Sequence, residues 1–306
     1  MRFLRNVVIF FLLLAPVMAL SALRPGDLPE TSKWYFHIDL KEMRSSDAGK
    51  HLYVWLQDEA LEEVRDETGI DLDKEADFIT AFATADDGMV VVIEGNISQE
   101  TEDRVMALGA ASGSLDRFGS GNKAFFHIKD DDYDDDGDID IDVDSFDDGA
   151  YFSFAVKNKL LVTSSRDKME ALLADKGRIK AVRGEKGALF VLNAERNLMQ
   201  AGARAGDFGD NVDWDSNILR NTEQAALLIA DQAGKIAIEA QLVTTEAEMA
   251  ESLASIVRGL ISLQVFNDDM DPDVASFLQS TTVDVSGNKL TISVALDPEV
   301  VVAAIE

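Results

Sequence analysis

The chain has 306 residues, 46% of them hydrophobic, and carries 57 Asp and Glu against 28 Lys and Arg, a formal net charge of −29, with no cysteine. That apolar content excludes global disorder, and the length admits one large domain or two of about 100–150 residues each. The charge makes phosphate backbones and anionic headgroups poor partners, and the missing cysteine excludes disulfides, thiol nucleophiles and a lipid-modified cysteine.

Arg2 and Arg5 open the chain, an apolar run follows from Val7 to Leu14, Ala15 and Pro16 break it, and Ala19, Ser21 and Ala22 are small. This is the order of a secretory signal peptide, and its apolar core is shorter than the roughly 20 residues of a membrane span. Residues 1–22 are therefore expected to be removed. That takes away two positive charges and moves the net charge from −29 to −31. The mature protein is expected in a bacterial periplasm or secreted, because disulfide-free export suits that route. No second long apolar segment follows, so no stable membrane span is expected after signal removal. The acidic surface either keeps the protein soluble or attracts divalent cations and basic partners.

The mature chain alternates short strands with capped amphipathic helices. Trp34 to Leu40 reads as a strand leading into helical segments around Leu52 to Val64. Asp77–Thr84 and Met89–Glu94 flank the turn Asp86-Asp87-Gly88, after which Ser98 caps a helix carrying Val105, Met106 and Leu108. Tyr151–Val156 and Lys159–Thr163 form the next hairpin. Ser165 caps the helix of Met169, Leu172 and Leu173, and Gly177 ends it. Leu189 to Asn193 then leads into a helix over Glu195 to Ala203. Ala225–Ala230 pairs with Lys235–Val243 around Gly234. Thr245 and Glu248 have capping-box spacing before a helix whose Met249, Leu253, Ile256, Val257 and Leu260 are expected on one buried face. Thr282–Val285 and Lys289–Leu296 flank Gly287-Asn288, and Asp297-Pro298 starts a last helix.

These units predict an α+β fold made by tandem duplication. Each half is a strand and helix followed by two hairpin–helix units, with antiparallel sheets backed by helices. The first half covers 23–182 with an acidic insertion at 130–148, and the second covers 183–306. Two sheets of about five strands are expected, although they can also join into one. The Leu28-Pro29 opening, the His37-Ile38-Asp39-Leu40 strand and the hairpin–helix series are similar to exported bacterial α+β proteins of unknown function. That likeness implies no activity and no site residues.

The strongest compositional anomaly is the aspartate run between Lys129 and Gly149. Asp132, Asp134 and Asp136 alternate before Gly137, which lets a loop wrap oxygens around one hard cation. These nine or so residues resemble the EF-hand and related aspartate-rich calcium loops. The resemblance makes Asp132, Asp134, Asp136 and Asp140 side-chain ligands and gives Asp138 a backbone carbonyl role. Val143 stands where the family has its bidentate glutamate, and no helix pair flanks the loop. From Asp138 to Asp144 aspartate alternates with Ile139, Ile141 and Val143, the pattern of a half-buried strand, with Phe125–Ile128 as its expected partner. The competing reading is a solvated hairpin whose charges protect an edge. Asp213-Trp214-Asp215-Ser216-Asn217 and Asn267-Asp268-Asp269-Met270-Asp271 are weaker oxygen-rich loops without the glycine.

Catalytic signatures are incomplete. His37, His51 and His127 have no zinc spacing, and His37 reads as structural. Gly119-Ser120-Gly121-Asn122-Lys123 is too short for a phosphate loop. Ser165 and Lys168 have the spacing of penicillin-recognising enzymes, but capping explains Ser165. The sequence therefore points to an exported non-enzymatic binding or scaffold protein with a protein partner. A calcium-binding protein using the 130–148 loop, or a hydrolase whose site escapes motif reading, stands as an alternative.

Overall fold

The protein is described by a computed structural model over residues 32–84, 88–111, 115–128, 149–179, 187–195, 221–265 and 277–305. Twelve strands make one sheet. They are β1 (Ser32–Asp39), β2 (Ala76–Thr84), β3 (Met89–Gly95), β4 (Leu115–Phe118), β5 (Phe125–Ile128), β6 (Ala150–Ser153), β7 (Lys159–Thr163), β8 (Ala188–Glu195), β9 (Thr222–Gln232), β10 (Lys235–Thr244), β11 (Thr282–Ser286) and β12 (Lys289–Leu296). The spatial order is β11-β12-β10-β9-β8-β1-β2-β3-β7-β6-β5-β4. Every neighbouring pair is antiparallel.

This corrects the expected tandem of separate helix-backed sheets. β1 and β8 pair antiparallel in the middle, with Tyr35 opposite Asn193 and His37 opposite Val191. Had the halves stayed apart, each of these strands would have presented an open row of N–H and C=O groups. Joining them satisfies both rows. The sheet is correspondingly the dominant element.

The hairpins form where turn chemistry permits. Between β9 and β10, Ala233 and Gly234 both take positive φ, 55° and 84°. That is the backbone a tight two-residue connection needs to match the strand twist. β5 pairs with β4 and with β6. The partner expected for β5, 138–144, lies outside the described residues. So does the helix expected over 195–203, apart from Glu195, which ends β8.

Period-two alternation gives the sheet two faces. On one face Tyr35, Phe82, Val90, Val92, Leu161, Val191 and Leu228 pack with Met169, Leu172 and Leu173 of α6 (Arg166–Ala174). Ser165 caps α6 by accepting from the Lys168 N–H at 3.4 Å.

On the opposite face Ile238 and Val294 are buried, with the partly buried Ile38, Ile79, Phe190, Leu227 and Ile229 packed against the same cluster. Against them lie α1 (Leu40–Ser45), α2 (Gly49–Leu56) and α8 (Pro298–Ile305), which contribute Leu40, Met43, Leu52, Tyr53 and Val301. A π-helical turn at Gln57–Leu61 joins α2 to α3 (Glu62–Thr68), which stops where Gly69 takes φ 68°. Two further helices are α4 (Leu72–Glu75), capped by Asp71, and α5 (Gln99–Ala111). Ser98 Oγ accepts from the Thr101 N–H at 3.1 Å at the start of α5.

The longest helix, α7 (Ala247–Val265), lies on this same face over β10, β11 and β12. Ala250, Leu253, Ala254 and Val257 pack against Leu242, Leu290 and Ile292.

Candidate functional site

Three regions of the described structure are candidates for a site, and strand register or helix phase places the residues of each. The first is a groove of about 250 Å³ beside the β6–β7 turn, lined by Asp77, Phe78, Glu94, Asn96, Lys157 and Lys159. Its charges neutralise one another. Lys159 Nζ lies 2.5 Å from Glu94 Oε1 and donates to the Gly177 carbonyl at 2.8 Å. Arg44 donates to Asp77 at 2.8 Å and to the carbonyls of Asp73 and Ala76. Next to this network the Tyr53 hydroxyl donates to the Asp73 carboxylate. Burial first, and then that carboxylate, push the Tyr53 phenol above its ordinary range. The groove is thus a scaffold of ion pairs.

The second region is on the α6 face at the β8–β12 end. Register places Thr80, His37, Val191, Leu228, Glu239 and Ser293 in one row across six strands. The adjacent row holds Asn193, Ala226, Gln241 and Thr291. Glu239 is only 5% exposed, and burial holds its carboxyl above the usual carboxylate range against the Gln241 amide that donates to it and the charge of Lys289. Asn193 is 2% exposed. Its Oδ1 accepts from Gln224 Nε2 at 3.1 Å, while its Nδ2 finds no partner among the described residues. His37 shares a hydrogen bond with Thr80 at 2.8 Å and stacks on Phe78.

The third region is the outer face of α7, where sequence reading needs correction. Ile256 and Leu260 were expected on the buried face with Leu253 and Val257. Ile256 is 46% exposed, Leu260 37% and Leu263 71%. One residue is 100° of helix, so Ile256 points well away from its neighbour Val257. By helix phase Leu260 lies only about 20° and Ile256 about 60° from the buried Leu253, so the exposed apolar residues form a flank continuous with the arc that meets the sheet. Arg258, the one charged residue from Ser252 to Leu263, donates to the Val283 carbonyl at 2.7 Å and so lies down toward β11.

The expected metal ligands Asp132, Asp134, Asp136, Asp138 and Asp140 lie outside the described residues, as do 213–217 and 267–271. Among the described residues, no group of three or more His, Asp or Glu could hold a metal ion. No helix there is long and apolar enough to cross a membrane. His127 stacks on Tyr151 with centroids 4.2 Å apart.

No protein-family model matches the chain, and no curated protein matches it. Solved structures of TP0453 do. Crystal form III aligns with a TM-score of 0.52 at 8% identity, covering 94% of this chain and 99% of that one. Crystal form I gives 0.49 at 8% identity over 93% and 97%, and form IV gives 0.49 at 9% identity over 90% and 92%. At that identity the likeness concerns the fold alone: the chain is similar to TP0453 in the course of its backbone.

Proposed function

We propose that this chain is an exported, non-enzymatic binding or scaffold protein and that the outer face of α7 is its contact surface. The observation that carries the reading is that exposed apolar flank. Single exposed apolar residues are ordinary, but three large ones on one helix face, in a chain with 28% charged residues, form a surface suited to association. The signal-like residues 1–22 and the strongly acidic remainder support a role outside the cytoplasm. A photo-reactive residue placed at Leu263 in expressing cells should give a specific cross-link, and one at the exposed Lys50 should not. Equal labelling from the two sites, or none from Leu263, rejects the reading.

A second reading rests on the aspartates. β5 and β6 pair with Ile128 opposite Ala150, so the 130–148 segment leaves from and returns to neighbouring strand ends. Such an anchored segment, with Asp132, Asp134 and Asp136 before Gly137, would take calcium through carboxylate oxygens. Calorimetry should then give saturable heat with calcium that disappears when the three residues are changed together to Asn. Heat that survives the change assigns calcium elsewhere.

A further inference from the structure

Asn96 is the one asparagine of the sequence with serine or threonine two places on, in Glu94-Gly95-Asn96-Ile97-Ser98. With a residue other than proline between them, that is the acceptor pattern for glycan transfer to an asparagine amide in exported proteins. Glu94 adds the acidic residue that bacterial acceptors carry two places before the asparagine. Five positions therefore agree with the pattern, and they agree with the form of it that belongs to the export route read from residues 1–22.

The fold keeps this asparagine in solvent. Asn96 follows the last residue of β3, precedes α5 and is exposed. The backbone on either side of it is pinned. The Gly95 N–H donates to the Asn158 carbonyl at 3.1 Å, and the Ser98 N–H and hydroxyl donate to the Glu75 carboxylate at 2.9 and 2.6 Å. Between these ties the Asn96 side chain makes no hydrogen bond among the described residues, whereas Asn288 spends its amide on the Thr244 carbonyl at 2.8 Å. Asn96 also lines the groove of about 250 Å³ at the β6–β7 turn, so a group attached to its amide has open space beside the sheet.

We propose that Asn96 is an N-glycosylation site, modified as the chain is exported. The proposal rests on the reading of the chain as an exported protein and adds a covalent partner to it. The donor class is an oligosaccharide carried on a lipid pyrophosphate. The amide nitrogen of Asn96 forms a bond to C1 of the first sugar, the bond from C1 to the pyrophosphate oxygen breaks, the amide gives up one proton and the lipid pyrophosphate leaves. In the finished fold Glu94 is held by Lys159 and Ser98 by Glu75, so the two residues that flank the acceptor are already engaged. Transfer therefore precedes the closing of β3 and α5 on Glu75, when the extended chain still offers both. Folding then leaves the modified amide at the mouth of the groove, where a bulky hydrophilic group displaces nothing.

The test is mass spectrometry of the tryptic peptide Glu75–Arg104, which holds no other asparagine, from protein purified out of the envelope of the cells that naturally make it. The peptide should carry the added mass of a glycan on Asn96. The same chain made without residues 1–22 and retained in the cytoplasm should give the bare peptide. Asn96→Gln should abolish the added mass and leave the melting temperature unchanged, because the replaced side chain is exposed and unbonded. Ser98→Thr keeps the hydroxyl and should keep the glycan, while Ser98→Ala should lose it. Glu94→Gln should lose most of it. A bare peptide from chains whose signal has been removed overturns the proposal and leaves export standing. A bare peptide from chains that retain residues 1–22 in the cytoplasm overturns export as well. Added mass that survives Asn96→Gln, or that appears on the cytoplasmic chain, also overturns the proposal.

Discussion

The two ends of the sheet solve the same packing problem with opposite polarity. At the β3–β7 end, α6 buries Met169, Leu172 and Leu173 on Val90, Val92 and Leu161, and turns Arg166 and Glu170 outward as an ion pair at 2.8 Å. At the β8–β12 end, the carboxyl of Glu239 and the amide of Asn193 are buried on one face, while the helix on the other face exposes Ile256, Leu260 and Leu263. A chain selected only for monomer stability would favour the first arrangement throughout, because buried acids and exposed apolar arcs both raise the free energy of the lone molecule. Local rules are broken where a surface does something besides hold the fold. The comparison therefore makes the β9–β12 end the place where the proposed contact surface is to be tested.

The largest effects should come from residues facing the sheet at either end. Met169→Ala and Leu253→Ala each remove a buried side chain and leave a cavity, and each should cost about 2–5 kcal/mol in denaturant unfolding. Near-equal losses would show that the two ends share one cooperative core. A loss confined to Met169 would mean that α7 is only loosely bound to the sheet.

Asp231 links β9 to α2. Its carboxylate accepts from the Ala48 N–H at 2.8 Å and from the Gly234 N–H at 2.9 Å. Burial works against the charged form, yet these bonds, with others from Ser46 and Asp47, hold its carboxyl below the usual range. A lowered folded pKa stabilises above the unfolded value of about 3.9, and that contribution is lost as pH falls through the folded pKa. Asp231→Ala should cost about 1–3 kcal/mol near neutrality, the range for part-buried N–H groups left without their acceptor. It should also flatten the acid limb of the melting curve. An unchanged acid limb would show that Asp231 is not the group responsible.

Glu239 has the opposite sign. Its carboxyl is raised in the folded state, so between the unfolded value of about 4.3 and the folded one the native protein holds a proton that the unfolded chain has lost. Stability from this group is complete below that window and falls as pH rises through it. Glu239→Gln should raise stability at pH 8 and change little at pH 4. Destabilisation at pH 8 would mean that the charged form is used by the native structure, and would move attention from α7 to the polar row.

Hairpins were legible because their signals are local. Glycines and asparagines at the turns and alternation in the strands fixed β2–β3, β6–β7, β9–β10 and β11–β12. Caps at Ser98 and Ser165 were legible for the same reason. The junction of β1 with β8 was not, because Trp34 meets Ala194 across about half of the chain and nothing near either residue announces the partner. The buried row through Glu239 needs that junction to exist, so it too was invisible. α7 was half legible. A helical period assigns Leu253 and Val257 inward, but apolar residues also fill the flank beside them, and the half-exposed Ile256 and Leu260 were read as buried.

The smallest expected effect is the sharpest test of that flank. Leu263 is as large as Leu253 and sits on the same helix, yet at 71% exposure it has little to lose in the monomer. Leu263→Ser should change unfolding free energy by no more than about 0.5 kcal/mol, the usual range for a surface site. Compared with Leu253→Ala on the same helix, the pair separates two roles that composition alone cannot. If Leu263→Ser instead costs as much as Leu253→Ala, the flank is part of the monomer's own core. The contrast between the two ends of the sheet would then reduce to the buried row at Glu239.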